Sequence, residues 1–166
     1  MDSRGFSPDG YITDQDFFED VIYRGIPASD NGCGWIAAYN IRRALGQAPS
    51  FEQVLREMDA MHVLRVPGPT TMNVMRAYLR KYVPDMRESC GREAALAAAV
   101  RSRMGILRYS EAGIPHFISF LRVEEGFRFG CVKAAVCHLL IRGSCGKELD
   151  KACGIKRLAV NDYLLI

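Results

Sequence analysis

Asn31-Gly32-Cys33-Gly34-Trp35-Ile36-Ala37-Ala38 is a tight glycine-flanked turn that runs directly into a helical pattern. Ile36, Tyr39, Ile41 and Ala44 recur near the helical period, and Gly46 stops the run, so the pattern predicts a helix over 33–45. Cys33 stands at its first position. A thiol there feels the positive end of the helix dipole, which favours the nucleophilic thiolate. The N–H groups of a first helical turn have no intrahelical acceptor and can bind a developing oxyanion. Nucleophile, activation and part of an oxyanion hole thus fall within a few residues. The same stretch also reads as a small buried cysteine at a helix start.

Outward from this helix the texture stays helical on both sides. Upstream, Asp14 caps an expected helix through Phe17, Phe18, Val21 and Ile22, ended by Gly25 and Pro27. Downstream, Ser50 caps 51–61. The next helix covers 71–82, with Met72, Met75, Leu79 and Tyr82 on one face, and another covers 92–103. Strand patterns follow at 106–109, 116–123 and 127–132, the last two joined by a Glu124-Glu125-Gly126 turn. Residues 137–141 are an ambiguous apolar stretch, 148–152 a helical turn, and 156–166 a final strand. Helices first and antiparallel strands after make an α+β pattern.

Composition bounds the class. The chain has 166 residues, 49% hydrophobic and 25% charged, which is ordinary for one globular domain. The reading is a single domain over 1–166, helical over about 14–104 and strand-rich over about 105–166. A net charge of +3, spread along the chain, points away from nucleic acid. No apolar run approaches a membrane span, and Met1-Asp2-Ser3-Arg4-Gly5 lacks a signal-peptide core. The six cysteines are therefore expected as reduced thiols in a cytoplasmic protein.

A cysteine nucleophile needs a base. Of the three histidines, His116 opens the most apolar strand, in Gly113-Ile114-Pro115-His116-Phe117-Ile118. Pro115 imposes an extended entry and Gly113 leaves room beside the ring. His62 falls in an expected loop and reads as solvated, and His138 reads as core or surface. The two stretches together resemble the papain-like cysteine peptidase superfamily, with most similarity to the bacteriocin-processing (double-glycine leader) peptidases. Cys33 and His116 are 83 positions apart, which suits that branch, and the resemblance runs from Ser29 to Val132. It implies a nucleophile helix packed on an antiparallel sheet, a Cys33–His116 pair, a peptide or protein substrate, and neither metal nor organic cofactor.

Two positions depart from the family pattern. The strand after the histidine, Phe127-Arg128-Phe129-Gly130-Cys131-Val132, carries no Asp or Asn to orient the imidazole; Cys131 stands roughly in that place and is a poor acceptor. Pro27 occupies the position of the oxyanion-hole glutamine, six before the cysteine; Ser29, Asp30 and Asn31 are the candidates to replace it, and Asn31 has the amide chemistry. These departures leave two readings: a thiol hydrolase, or a degenerate domain that binds a peptide or protein partner without cleaving it.

The rivals are weaker. Cys90-Gly91 also precedes a helix, but out of the superfamily order. Cys137-His138, Cys145 and Cys153 lack the close spacing of a zinc hook. Met58, Met61, Met72 and Met75 read as core packing, and Arg76, Arg80 and Lys81 as a solvated face. Trp35 reads either as a shield for the Cys33–His116 pair or as the largest core residue.

Overall fold

The computed structural model describes residues 5–63, 66–111, 114–123, 126–130 and 159–165. The helices are α1 (Ala28–Asn31), α2 (Cys33–Ala44), α3 (Phe51–Ala60), α4 (Met72–Arg80) and α5 (Arg92–Arg101). The strands are β1 (Ile22–Tyr23), β2 (Ile26–Pro27), β3 (Arg87–Cys90), β4 (Met104–Glu111), β5 (Ile114–Val123), β6 (Gly126–Gly130) and β7 (Ala159–Leu165). Five strands form one antiparallel sheet in the order β3-β7-β4-β5-β6. This is the expected α+β class. The expectations over 137–141 and 148–152, and the positions Cys131, Cys137, His138, Cys145 and Cys153, lie outside the described residues.

Local chemistry sets the starts of α3 and α4. Ser50 Oγ accepts the N–H of Gln53 at 3.1 Å, and Thr71 Oγ1 that of Val74 at 3.3 Å, so each hydroxyl satisfies a first-turn donor. Upstream the expectation fails. In place of a helix from Asp14 there is one 3-10 turn, Asp16–Phe18, then a short β1–β2 hairpin. Arg24 (φ 51°) and Gly25 (φ 77°) both adopt the left-handed conformation of a tight hairpin turn. The Asp14 carboxylate accepts the Asp16 N–H at 3.0 Å, a contact two residues ahead that closes a turn. β3 was also unforeseen: the stretch before α5 is a mostly exposed edge strand, and Cys90 is on it.

The core lies between α2, α3, α4 and one sheet face. Trp35, Ile36 and Ile41 of α2, Met58 of α3, and Met75, Tyr78 and Leu79 of α4 are fully buried, and Ile106 and Phe117 close the same cluster from the sheet. Phe18 stands edge-on to Trp35 at 5.5 Å, so the 3-10 turn plugs the end of this core. Met58 and Met75 pack here, and Met61 and Met72 lie partly buried against it, as the helical spacing implied.

Asn40 locks α2 to the rest of the molecule. Its side chain accepts the N–H of Ile12 at 2.9 Å and donates to the Ile12 carbonyl at 2.8 Å and to Ser119 Oγ on β5 at 3.2 Å. Ser119 Oγ in turn donates to the Gly130 carbonyl at 3.1 Å. Gly130 is required here, because any Cβ would overlap the Asn40 amide.

Candidate functional site

Cys33 is the first residue of α2 and is 5% exposed. The glycine turn expected before it is itself helical: Gly32 has φ −75° and ψ −12°, and its N–H bonds the Ala28 carbonyl at 2.8 Å. Cys33 therefore stands at a joint between α1 and α2. Gly34, next in the chain, lies flush against the Thr70 side chain, and a Cβ there would clash with it. Thr70 Oγ1 and the Tyr23 hydroxyl form a hydrogen bond at 3.1 Å. Burial chiefly pushes the Tyr23 hydroxyl up to about 12, and Cys33 adds to the shift, so the thiol and the phenol share one electrostatic neighbourhood.

Asn31, the candidate oxyanion donor, is buried and holds backbone. Its Nδ2 donates to the Tyr23 carbonyl at 2.8 Å and to the Gly68 carbonyl at 3.4 Å, while Oδ1 has no partner among the described residues. Arg24 ties down the same strap from outside, donating to the carbonyls of Val66 (2.6 Å), Gly68 (3.2 Å) and Pro69 (3.0 Å). Residues 66–70 are thus laced against the start of α2. Pro27 lies in β2 and supplies no N–H.

The sheet geometry relates Cys33 to His116. Arg87, Leu165, Gly105 and Phe120 form one rung across β3, β7, β4 and β5; Cys90, Asp162, Arg108 and Phe117 form another. His116 lies one residue beyond the second rung, opposite Tyr109. The C-terminal end of α2 belongs with the first rung. Arg42 there bonds the Tyr78 hydroxyl at 3.0 Å and stacks 4.1 Å over Tyr82, and the chain turns through buried Met86 into β3 at Arg87. The N-terminal end of α2, with Cys33, therefore points toward the His116 end of β5. From the Asn40–Ser119 bond, seven helical residues back to Cys33 and three strand residues back to His116 each span about 10 Å.

The pleat adds a second fact. Ser119 and Phe117 meet the helical core, and side chains alternate along a strand, so His116 shares the other face with Ile118 and Phe120. Its ring stacks on Tyr109 with centroids 5.4 Å apart and 25° between planes. Cys33 and His116 reach the same end of the sheet with the histidine rooted on the face away from α2.

His62 corrects an expectation. It is 7% exposed rather than solvated, and Nδ1 lies 2.9 Å from the Met58 carbonyl, so Nδ1 carries the proton and Nε2 the lone pair. Nε2 has no partner among the described residues. Burial chiefly lowers the imidazole below its usual 6.5. His62 lines a cavity of about 500 Å³ that includes neither Cys33 nor His116.

Trp35 is core: fully buried, with Phe18 edge-on and Phe51 at 6.1 Å. Arg76 and Arg80 both pair with Glu88 on β3, at 2.6 and 3.0 Å, rather than facing only solvent. Among the described residues, no group of three or more His, Cys, Asp or Glu side chains is gathered to hold a metal, and no helix is long and apolar enough to cross a membrane. Comparisons with protein-family models, curated proteins and solved structures find no match to this chain.

Proposed function

We propose that the chain is a papain-like thiol hydrolase that cleaves a peptide or amide bond with Cys33 as nucleophile and His116 as its base. One observation carries this reading. Cys33 opens the helix that Asn40 pins to Ser119, and His116 lies the same distance from that pin toward the same end of the sheet. In the reaction, the His116 ring leaves Tyr109 and turns round the end of β5 toward α2, the Cys33 thiol gives its proton to the imidazole, and the sulfur attacks the carbonyl carbon. The Cys33 N–H stabilises the oxyanion. As the tetrahedral intermediate collapses, the C–N bond breaks and the imidazolium protonates the leaving amine. Water, deprotonated by the imidazole, then attacks the thioester, releasing the acid and returning the proton to sulfur. Asn31 supports the turn by holding Tyr23 and the strap, since both its amide contacts go to backbone carbonyls.

Iodoacetamide labelling at mildly acidic pH tests this. Cys90 is exposed and Cys33 buried, so access alone makes Cys90 the faster thiol. Activation of Cys33 reverses that order, and turnover of a broad peptide library disappears in Cys33→Ala. If Cys90 labels first and the library stays intact, the hydrolase reading fails.

A second reading rests on the pleat of β5. With the His116 ring stacked on Tyr109 and phased opposite to Ser119, the domain binds a peptide and leaves it whole. Saturable peptide binding without turnover selects this reading.

A further inference from the structure

The cavity beside His62 lies apart from the Cys33–His116 pair and carries its own chemistry. Met61, Val63, Val66, Pro67, Val74 and Ala77 give it apolar walls, and its volume of about 500 Å³ is in the range of small-molecule sites. Val63 at its rim is 94% exposed and Val66 is also exposed, so apolar surface there faces water. The wall also contains a buried imidazole whose acceptor nitrogen is unused. A buried acceptor left without a donor is costly, and a ligand that supplies the donor recovers that cost.

The surrounding charge narrows the ligand. Arg24 lines the cavity and disfavours a cation, and its guanidinium already donates to three strap carbonyls. Proline, methionine and valine side chains suit the flat face of an aromatic ring. We propose that this cavity binds a neutral aromatic ring carrying an N–H or O–H donor, an indole or a phenol, with His62 Nε2 as the acceptor. A small rocking of the ring into the open cavity presents Nε2 to the donor. Burial helps by keeping the imidazole neutral at pH 7, so that Nε2 accepts. The ring comes either from a free small molecule or from a tryptophan or tyrosine of a peptide.

Indole and 1-methylindole, which lacks the N–H, separate packing from hydrogen bonding. Titrated into the full chain and followed by amide resonances, indole shifts residues 61–63 and 66–77 saturably. 1-Methylindole binds there about three- to tenfold more weakly, the usual worth of one hydrogen bond. His62→Phe keeps an aromatic wall and abolishes the difference between the two probes. Should that variant not fold, the His62 ring nitrogens of the native chain give the same answer: indole moves Nε2 and 1-methylindole does not. A blocked Gly-Trp-Gly tripeptide that binds tighter than indole assigns the ring to a peptide, and the reverse assigns it to a free molecule. Equal affinities for the two indoles, discrimination that survives His62→Phe, or no saturable shift at these residues overturns the site. The titrations run on Cys33→Ala as well as the native chain, so a failed hydrolase leaves this result unaffected.

Discussion

At the scale of single residues, Gly34 and Thr70 fix how the strap meets the cysteine helix. No Cβ fits at Gly34, because the Thr70 side chain occupies that place. Gly34→Ala is expected to destabilise by about 1–3 kcal/mol, the cost of overpacking, read as a lowered denaturant midpoint. Adding Thr70→Gly should restore part of that loss by vacating the space, and failure to recover any of it would argue that Thr70 is not the obstacle. In the sequence Gly34 is only one of the two glycines that flank Cys33, and nothing local shows that Thr70, 36 positions on, fills the space beside it. His62 teaches the same lesson: a loop position by pattern, it is buried because the chain leaving α3 folds it against Tyr23, ring centroids 6.1 Å apart.

At the scale of elements, polar side chains decide how the helices register. Asn40→Ala leaves the Ile12 N–H and C=O without their side-chain partner in the interior. Each buried group so orphaned costs about 1–3 kcal/mol, so this substitution should be among the most destabilising in α2, measurable by urea unfolding. Near the C-terminal end of α2, Glu57 gathers Arg42, Tyr78, Tyr82 and Gln53 at 2.7–2.9 Å. Burial works to raise its carboxyl, but the bonds from Gln53, Tyr82 and Tyr78 and the Arg42 charge outweigh it and hold the group below 4.5. A carboxyl depressed in the folded state adds stability above its unfolded value. That stability is lost as pH falls through the folded value. Thermal midpoints are therefore expected to fall below about pH 4.5 in the native chain. In Glu57→Gln they should be lower at neutral pH and flatter across that window. A parallel fall in both proteins would assign acid sensitivity elsewhere.

At the scale of the whole molecule, β7 is the keystone of the sheet. The last described strand lies between β3 and β4 and pairs antiparallel with both. A chain truncated before residue 159 loses both ladders and separates β3 and α5 from β4. Truncation is expected to abolish the cooperative transition in circular dichroism. A truncated chain that still melts cooperatively would mean that β4, β5 and β6 suffice with the helices. Within the intact molecule, His116→Ala should leave the unfolding free energy within about 1 kcal/mol of native while lowering any peptide turnover by about 10² or more, as the proposed general-base role requires. Turnover unchanged by His116→Ala would remove it from the reaction.

The α+β class, helices α2 to α5, the Ser50 cap of α3, strands β4 and β5 and the β5–β6 hairpin were legible in the sequence, because hydrophobic period, capping residues and turn residues act over a few neighbours. Cys33 at the head of a helix and His116 near the start of a strand were legible for the same reason. Only tertiary structure decided the rest. It replaced an expected helix with the β1–β2 hairpin, inserted β7 inside the sheet, buried His62 and spent the Asn31 amide on two carbonyls. It also set the phase of His116 against α2. That phase depends on which face of β5 the Asn40–Ser119 bond holds to the helix, a contact spanning 79 positions that no local pattern encodes.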